Sequence, residues 1–257
     1  MTAAWPAAID ALEPVSLEEI NATAALQTRT DRKYLLPPET WSIALASLEA
    51  APRVLEIDGQ RRFRYESVYY DTPELDSYRD AARRRPQRFK VRTRHYLDTG
   101  ARAVEVKLRS RTGETVKHRD WFDASASSWM GPGLPPQARG FVEAFPQTAS
   151  AVDALSESLT TSYERVTLLL PDARVTVDSD VRGRNVRDEE VGFGRSLIVE
   201  TKSVSRAGSV DRALWALGVR PAKVSKYCTA LAALRPDLPS NRWTRTLRDH
   251  LTVPQPA

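Results

Sequence analysis

The stretch Arg88-Phe89-Lys90-Val91-Arg92-Thr93-Arg94-His95-Tyr96-Leu97 decides the fold. In an extended strand, residues i, i+2 and i+4 share a face. Lys90, Arg92 and Arg94 therefore stand on one side, and Phe89, Val91 and Thr93 on the other. Turn chemistry follows at Asp98-Thr99-Gly100, and the pattern resumes in Ala103 to Arg109, where Glu105 and Lys107 oppose Val104, Val106 and Leu108. After Arg111-Thr112-Gly113, a third strand, Glu114 to Phe122, sets Lys117 and Arg119 against Val116 and Phe122.

The same parity recurs on either side. Thr28 to Leu36 carries Arg29, Asp31 and Lys33 on one face. In Thr161 to Leu170, Arg165 lies with Tyr163 and Thr167, against Val166 and Leu168. In Arg174 to Val181, Arg174, Thr176 and Asp178 oppose Val175 and Val177. In Ser196 to Ser203, Glu200 and Lys202 oppose Leu197 and Val199. Arg62 to Asp71 alternates as well and is rich in aromatics. Helical spacing predicts helices over Leu17–Leu26, Glu39–Ala50, Leu75–Ala82, Gln137–Ala144, Ser150–Leu159, Val210–Leu217 and Ser225–Leu234. Arg182 to Glu190 reads as a solvated charged excursion, and residues 124 to 150 are rich in Ser, Gly and Pro.

The charged faces are lopsided. Lys33, Lys90, Arg92, Arg94, Lys107, Lys117, Arg165, Arg174 and Lys202 make nine cations, against Asp31, Glu105, Asp178 and Glu200. An antiparallel sheet facing water accounts for the alternation, but a solvated face mixes both signs. A sheet of this size tends to close. Closed with its charges inward, it forms a cationic tube with helices packed on its apolar outside, a site for a linear polyanion. The fold class expected from the residues is therefore α+β, an antiparallel β-barrel with helices outside.

Composition agrees. In 257 residues, 41% are hydrophobic and 28% charged, which describes a folded chain rather than a disordered one. Thirty-eight basic and 33 acidic residues leave a net charge of +5, which suits an anionic ligand. No apolar run approaches the roughly 18–20 residues of a membrane span. Met1 to Leu12 shows no secretory signal pattern. The single cysteine, Cys228, excludes an internal disulfide framework and a Cys-rich zinc site. His95, His118 and His250 lie far apart without metal-ligand spacing, and there is no glycine-rich phosphate loop. A reducing cytoplasm is the expected setting.

Seven short motifs occur in order: Asp31-Arg32-Lys33-Tyr34, Ser67-Val68-Tyr69-Tyr70-Asp71-Thr72, Lys90-Val91-Arg92-Thr93-Arg94, Glu105-Val106-Lys107, Tyr163-Glu164-Arg165, Glu200-Thr201-Lys202 and Ser225-Lys226-Tyr227. Together they resemble the VTC domain, the polyphosphate polymerase branch of the triphosphate tunnel metalloenzymes (the CYTH-like superfamily), over about residues 28 to 231. The resemblance implies an antiparallel eight-stranded tunnel. In it the γ-phosphate of ATP passes to a growing inorganic polyphosphate chain, with Mn2+ or Mg2+. It implies catalytic roles for Lys33, Arg92, Arg94, Lys107, Lys202 and Lys226, and substrate binding by Lys90, Lys117, Arg165, Arg174 and Lys223. It implies metal binding by Glu200. Glu105 reads either as a second metal ligand or as the neutraliser of Lys107. One VTC-like domain is expected over residues 1–240, with an insertion or cover near 124–160 and a tail over 241–257 lying outside the core.

The chain departs from the wider superfamily at the front. Hydrolytic members carry E-x-E-x-K where this sequence has Arg29-x-Asp31-x-Lys33. Fewer carboxylates make a weaker site for hard divalent cations, which favours the polymerase over a tripolyphosphate or nucleoside triphosphate hydrolase. A non-catalytic polyphosphate-binding protein is the third reading. ATP and inorganic polyphosphate are the expected partners. No nucleic acid is expected, since aromatics are not interleaved with the Lys90/Arg92/Arg94 face. A membrane-protein partner that would bring the chain to the inner face of a membrane is left open. His118 reads as a packing residue, Tyr69 and Tyr70 as packing residues or an adenine platform, and Arg83-Arg84-Arg85 as a solvated turn able to attract an emerging chain.

Overall fold

Strand pairing turns the alternation into two-sided layers. The computed structural model describes residues 9–25, 30–122, 133–203 and 207–252. Thr28 and Arg29, part of the expected cover segment and the last five residues lie outside the described residues. In chain order the elements are β1 (Pro14–Val15), α1 (Leu17–Ala25), β2 (Thr30–Leu36), α2 (Pro38–Ala46), β3 (Arg53–Leu55), β4 (Phe63–Asp71), α3 (Asp76–Ala82) and β5 (Arg88–Tyr96). Then come β6 (Arg102–Arg109), β7 (Thr115–Phe122), α4 (Pro136–Glu143), α5 (Pro146–Ala149), β8 (Ser156–Leu170), β9 (Ala173–Asn185) and β10 (Glu190–Gly192). The chain ends with β11 (Leu197–Ser203), α6 (Ser209–Ala216), α7 (Lys226–Leu234), a 3-10 turn (Asn241–Trp243) and α8 (Thr244–His250). The α+β class and the eight main antiparallel strands are as expected, hydrogen-bonded in the order β2-β11-β9-β8-β4-β5-β6-β7.

The chain packs as two compact units. The first comprises residues 1–63, 163–181 and 193–224. There β11 pairs with β2 on one side and β9 on the other, setting Glu200 opposite Lys33 and Thr176, and Lys202 opposite Asp31 and Arg174. The alternate positions form the core: Tyr34, Leu36, Val166, Leu168, Val175, Val177, Leu197 and Val199 pack with Trp41, Ala44 and Leu45 of α2 and Val210 and Leu214 of α6. Asp211, fully buried on α6, locks the layers together. It accepts hydrogen bonds from the hydroxyls of Tyr34 (2.7 Å), Thr201 (2.7 Å) and Ser203 (2.9 Å), and from Arg32 Nη1 (3.0 Å). Burial opposes its charge, but the Thr201, Tyr34 and Ser203 hydroxyls and the Gly208 N–H hold its carboxyl below the ordinary aspartate range.

The second unit comprises residues 64–162, 182–192 and 225–257. The β5–β6–β7 meander sets Lys90, Lys107 and Lys117 in one row and Arg92, Glu105 and Arg119 in the next. On the opposite face Phe89, Val91, Val104, Val106 and Leu108 pack with Ala138 and Val142 of α4 and with Val152 and Leu155. Asp71, at the end of β4, is this unit's counterpart of Asp211. It accepts from the backbone N–H groups of Ser77 (2.8 Å) and Tyr78 (2.9 Å) in α3 and from the Tyr227 hydroxyl of α7 (2.6 Å).

Two expectations need correction and one needs completion. The helix expected over Ser150–Leu159 does not form: its last residues open the 15-residue β8, and Leu159 is fully buried. The excursion over Arg182 to Glu190 is solvated as expected, but it is also paired as a hairpin, in which β9 runs to Asn185 and β10 returns with Glu190 opposite Arg184 and the buried Val191 opposite Gly183. A glycine is required at 183, because a Cβ there would stand 2.5 Å from that of Ala230. Finally, the tail contributes to the core: Trp243 is buried, with its ring 5.6 Å from Tyr78.

Candidate functional site

Each unit carries one charged sheet face. In the second unit the face centres on Glu105, which is only 2% exposed. Arg92 donates to its Oε2 through Nε (2.7 Å) and Nη2. Lys117 Nζ (2.9 Å) and Arg119 Nε (2.9 Å) donate to its Oε1. Arg94 reaches Oε2 at 3.8 Å. Burial works against the charge on Glu105, yet these four cations hold its carboxyl far below the usual carboxylate range.

Arg94 is the least satisfied member of the cluster. It is 6% exposed, its Nε has no hydrogen-bond partner among the described residues, and its guanidinium lies over the Tyr65 ring at 5.5 Å. Burying a cation with an open donor is costly, and a ligand oxygen would relieve that cost. Beside it, Arg92 Nη1 donates to the Tyr69 hydroxyl at 2.9 Å. The buried Tyr69 ring stacks on Tyr227 at 4.9 Å, and Lys90 Nζ donates to Ser225 Oγ at 2.9 Å. Burial alone would raise the Tyr69 phenol, but Arg92, Lys90, Lys226 and Arg94 bring it down from 10.0 to about 8. Lys107 is exposed on the same face, in the row between Lys90 and Lys117.

In the first unit the charges pair with one another. Lys33 Nζ lies 3.5 Å from Glu200 Oε2, and Lys202 Nζ lies 3.2 Å from Glu200 Oε1 and 3.4 Å from Asp31 Oδ2. Arg165 binds Asp178 in fork geometry, Nε to Oδ1 at 2.5 Å and Nη2 to Oδ2 at 2.9 Å. Arg174 stands opposite Lys202. Lys223 is exposed in the segment between α6 and α7, while Lys226 opens α7 in the second unit.

The candidate residues thus fall into two sets. Arg92, Arg94, Lys117 and Glu105 are brought into direct contact, with Lys90 and Lys107 on the same face. Lys33, Lys202 and Glu200 are likewise brought together, beside the Arg165–Asp178 pair. The sequence reading left Arg119 out of the site although its parity was the same as that of Lys117. Its aromatic component is partial: it weighs Tyr69 as an adenine platform, notes Tyr227 only within a motif and leaves Tyr65 out; all three reach the cationic face from β4 and α7 rather than from β5 itself. His118 has the opposite parity and packs with Phe145, ring centroids 4.5 Å apart. Tyr70 belongs to the apolar core.

Among solved structures, similar chains include a Hippeastrum protein described as an adenylyl cyclase with a dominant triphosphatase activity. It is 14% identical with a TM-score of 0.49, covering 84% of this chain and 100% of that one. A Bacillus halodurans protein described as an adenylate cyclase is 12% identical with a TM-score of 0.48, over 77% and 94% of the two chains. A Pyrococcus horikoshii protein is 14% identical with a TM-score of 0.46, over 81% and 98%. No curated protein matches the sequence. The VTC domain family matches residues 28–235, a span that holds the paired charges around Glu200 and the cation cluster around Glu105. The chain belongs to the VTC domain family.

Proposed function

We propose that this chain is a metal-dependent ATP–polyphosphate phosphotransferase, which moves the γ-phosphate of ATP onto an inorganic polyphosphate chain. The observation that carries this reading is the cluster in which Arg92, Arg94, Lys117 and Arg119 share the single buried carboxylate of Glu105. Four cations to one acid is a standing demand for further anions, and a row of phosphates meets it.

Phosphoryl transfer asks the protein mainly for positioning and charge neutralisation. The terminal oxygen of the acceptor chain attacks the γ-phosphorus, the bond to the bridging oxygen breaks, and ADP leaves with the electron pair. Arg92 and Arg94 hold phosphate oxygens with planar forks, while Lys90, Lys107, Lys117 and Lys226 act as point charges. Lys33 and Lys202 neutralise phosphoryl oxygens, and Arg165, Arg174 and Lys223 bind further phosphates.

A divalent ion fits the donor set. Among the described residues no group of three His, Cys, Asp or Glu side chains gathers, but a magnesium-type ion is held by one or two carboxylates completed by substrate phosphates and water. Glu200, with Asp31 on the same lysine, supplies those carboxylates. Bound there, Mn2+ or Mg2+ would supply charge neutralisation at phosphate oxygens.

The test is a polyphosphate-staining gel of the purified chain incubated with ATP and manganese. A ladder of chains is expected for the wild type and is lost in Glu200→Gln and Arg92→Gln. Free phosphate without chains selects the hydrolase, and tight polyphosphate binding without turnover selects the binding protein. No helix among the described residues is long and apolar enough to cross a membrane.

A further inference from the structure

A second group of cations lies in the second unit, centred on the β5–β6 pair Arg88–Arg109, one same-face pair beyond Lys90–Lys107 and two beyond Arg92–Glu105. Arg84, Arg88, Arg109, Arg111 and Arg242, with Pro86, Thr112 and Gly113, line a cavity of about 270 Å³. Four segments supply them: the turn after α3, the facing ends of β5 and β6, the β6–β7 turn, and the 3-10 turn near the C-terminus. Arg88 and Arg109 stand directly opposite one another across the β5–β6 pair. Like charges in that position repel and destabilise a sheet. Arg88, Arg109 and Arg242 are half-buried, which sharpens the repulsion.

What the arginines bind does not cancel their charge. Arg88 Nη1 donates to the carbonyl of Arg85 (2.5 Å), Arg242 Nη1 to the carbonyl of Ala81 (2.9 Å) and Arg111 Nε to the side-chain oxygen of Gln87 (3.1 Å). Among the described residues none of the five forms an ion pair with a carboxylate. These are neutral acceptors that aim the guanidinium groups and leave their positive charge in place. Burial, then Arg109 and Arg242, push Arg88 below its ordinary range, with Cys228 and Asp80 acting the other way. The site is built: Arg109 Nη2 lies 3.3 Å from where a Cβ on Gly113 would stand, so the β6–β7 turn closes over it without a side chain.

We propose that this arginine pocket is a second binding site for condensed phosphate, holding two or three consecutive phosphate groups apart from the reacting ones. Planar forks match phosphate oxygens bidentately. The cavity, about 270 Å³, has room for a short run of phosphates. The choice of inorganic chain over nucleotide rests on the proposed function; the pocket and its charge do not.

Isothermal titration calorimetry with tripolyphosphate, orthophosphate and ATP tests this on the wild type, Arg92→Gln/Arg94→Gln and Arg109→Gln/Arg242→Gln. The wild type is expected to take two tripolyphosphates per chain, and each double variant to lose a different one. At the pocket, orthophosphate should bind at least tenfold more weakly than tripolyphosphate, and ATP no more tightly. Arg109→Lys/Arg242→Lys keeps the charge without the fork. It should still bind, severalfold more weakly, which separates a lost site from a lost fold. Unchanged stoichiometry and affinity in Arg109→Gln/Arg242→Gln would overturn the proposal, as would orthophosphate binding equal to tripolyphosphate or tighter binding of ATP. If Arg92→Gln/Arg94→Gln binds as the wild type does while the pocket variant loses binding, the pocket stands and the proposed function loses its support.

Discussion

The two charged faces are built on the same alternation and neutralised in opposite ways. In the first unit Lys33, Lys202 and Arg165 are matched by Glu200, Asp31 and Asp178. In the second, four cations converge on Glu105 alone. Burial does not separate them: Glu105 and Asp178 are each 2% exposed, and the paired cations span 7–41% on the second face and 17–37% on the first. On the proposed function, the matched face is the one that spares a carboxylate for a metal ion, and the face with surplus cations is the one that an anionic ligand completes.

The largest expected effect breaks the second face at its centre. Glu105→Gln leaves Arg92 and Arg94 buried without a counter-charge, and losing one partner of a buried pair costs about 3–5 kcal/mol. Denaturant unfolding checks this, and a change below about 1 kcal/mol would mean that the cations do not depend on Glu105. Next comes Arg94→Met, which removes an under-satisfied buried cation while Arg92, Lys117 and Arg119 stay on Glu105. The variant should fold at least as stably as the wild type and lose about tenfold in tripolyphosphate affinity at the Glu105 face, or about 1.4 kcal/mol. If it unfolds instead, Arg94 is a structural ion-pair member.

The first face sharpens the contrast. Glu200→Gln leaves two lysines that water can reach, so stability should change by less than about 1 kcal/mol, while chain synthesis is lost. A destabilisation as large as that of Glu105→Gln would erase the distinction between the faces.

The smallest effect is a titration. Tyr69 should ionise near pH 8 in the folded protein rather than at 10.0. Its folded value is depressed, so the stability it contributes grows as pH rises through about 8, is complete above 10, and is lost on the way down. Tyrosinate absorbance reads the step directly, and Tyr69→Phe should remove it. Lys117, lowered to about 8 by burial against the pull of Glu105, titrates in the same window. Absorbance, which sees only the phenol, is therefore the clean readout. Tripolyphosphate bound at this face should move the step upward by neutralising the surrounding cations.

Much of this was legible in the sequence because a strand period of two leaves a visible mark. Lys90, Arg92 and Arg94 against Phe89 and Val91 located β5 to within a residue, and the same pattern found β2, β6, β7, β9 and β11. Where that signal lapsed, the reading failed. Ser156 to Thr161 carries one buried apolar residue, Leu159, among Ser, Glu and Thr, too little alternation to separate strand from helix. β1 and β3 are two and three residues long, shorter than any periodic pattern. Parity also says nothing of depth or register. It placed Glu105 among cations but could not show which of them it binds, nor that Tyr69 and Tyr227 stack beneath Arg92 and Lys90. Asp71, Tyr34 and Tyr227 were noted within short motifs. Their work in tying helices to the sheet became visible only once Asp211 and α3 were in place.

The most direct test of the central claim is the fate of the γ-phosphate. One reaction with γ-labelled ATP and manganese should be divided into ADP, orthophosphate and chain-bound phosphate. The account predicts that label in acid-stable chains matches the ADP formed, with orthophosphate at background. Orthophosphate matching ADP, with no label in chains, would contradict it.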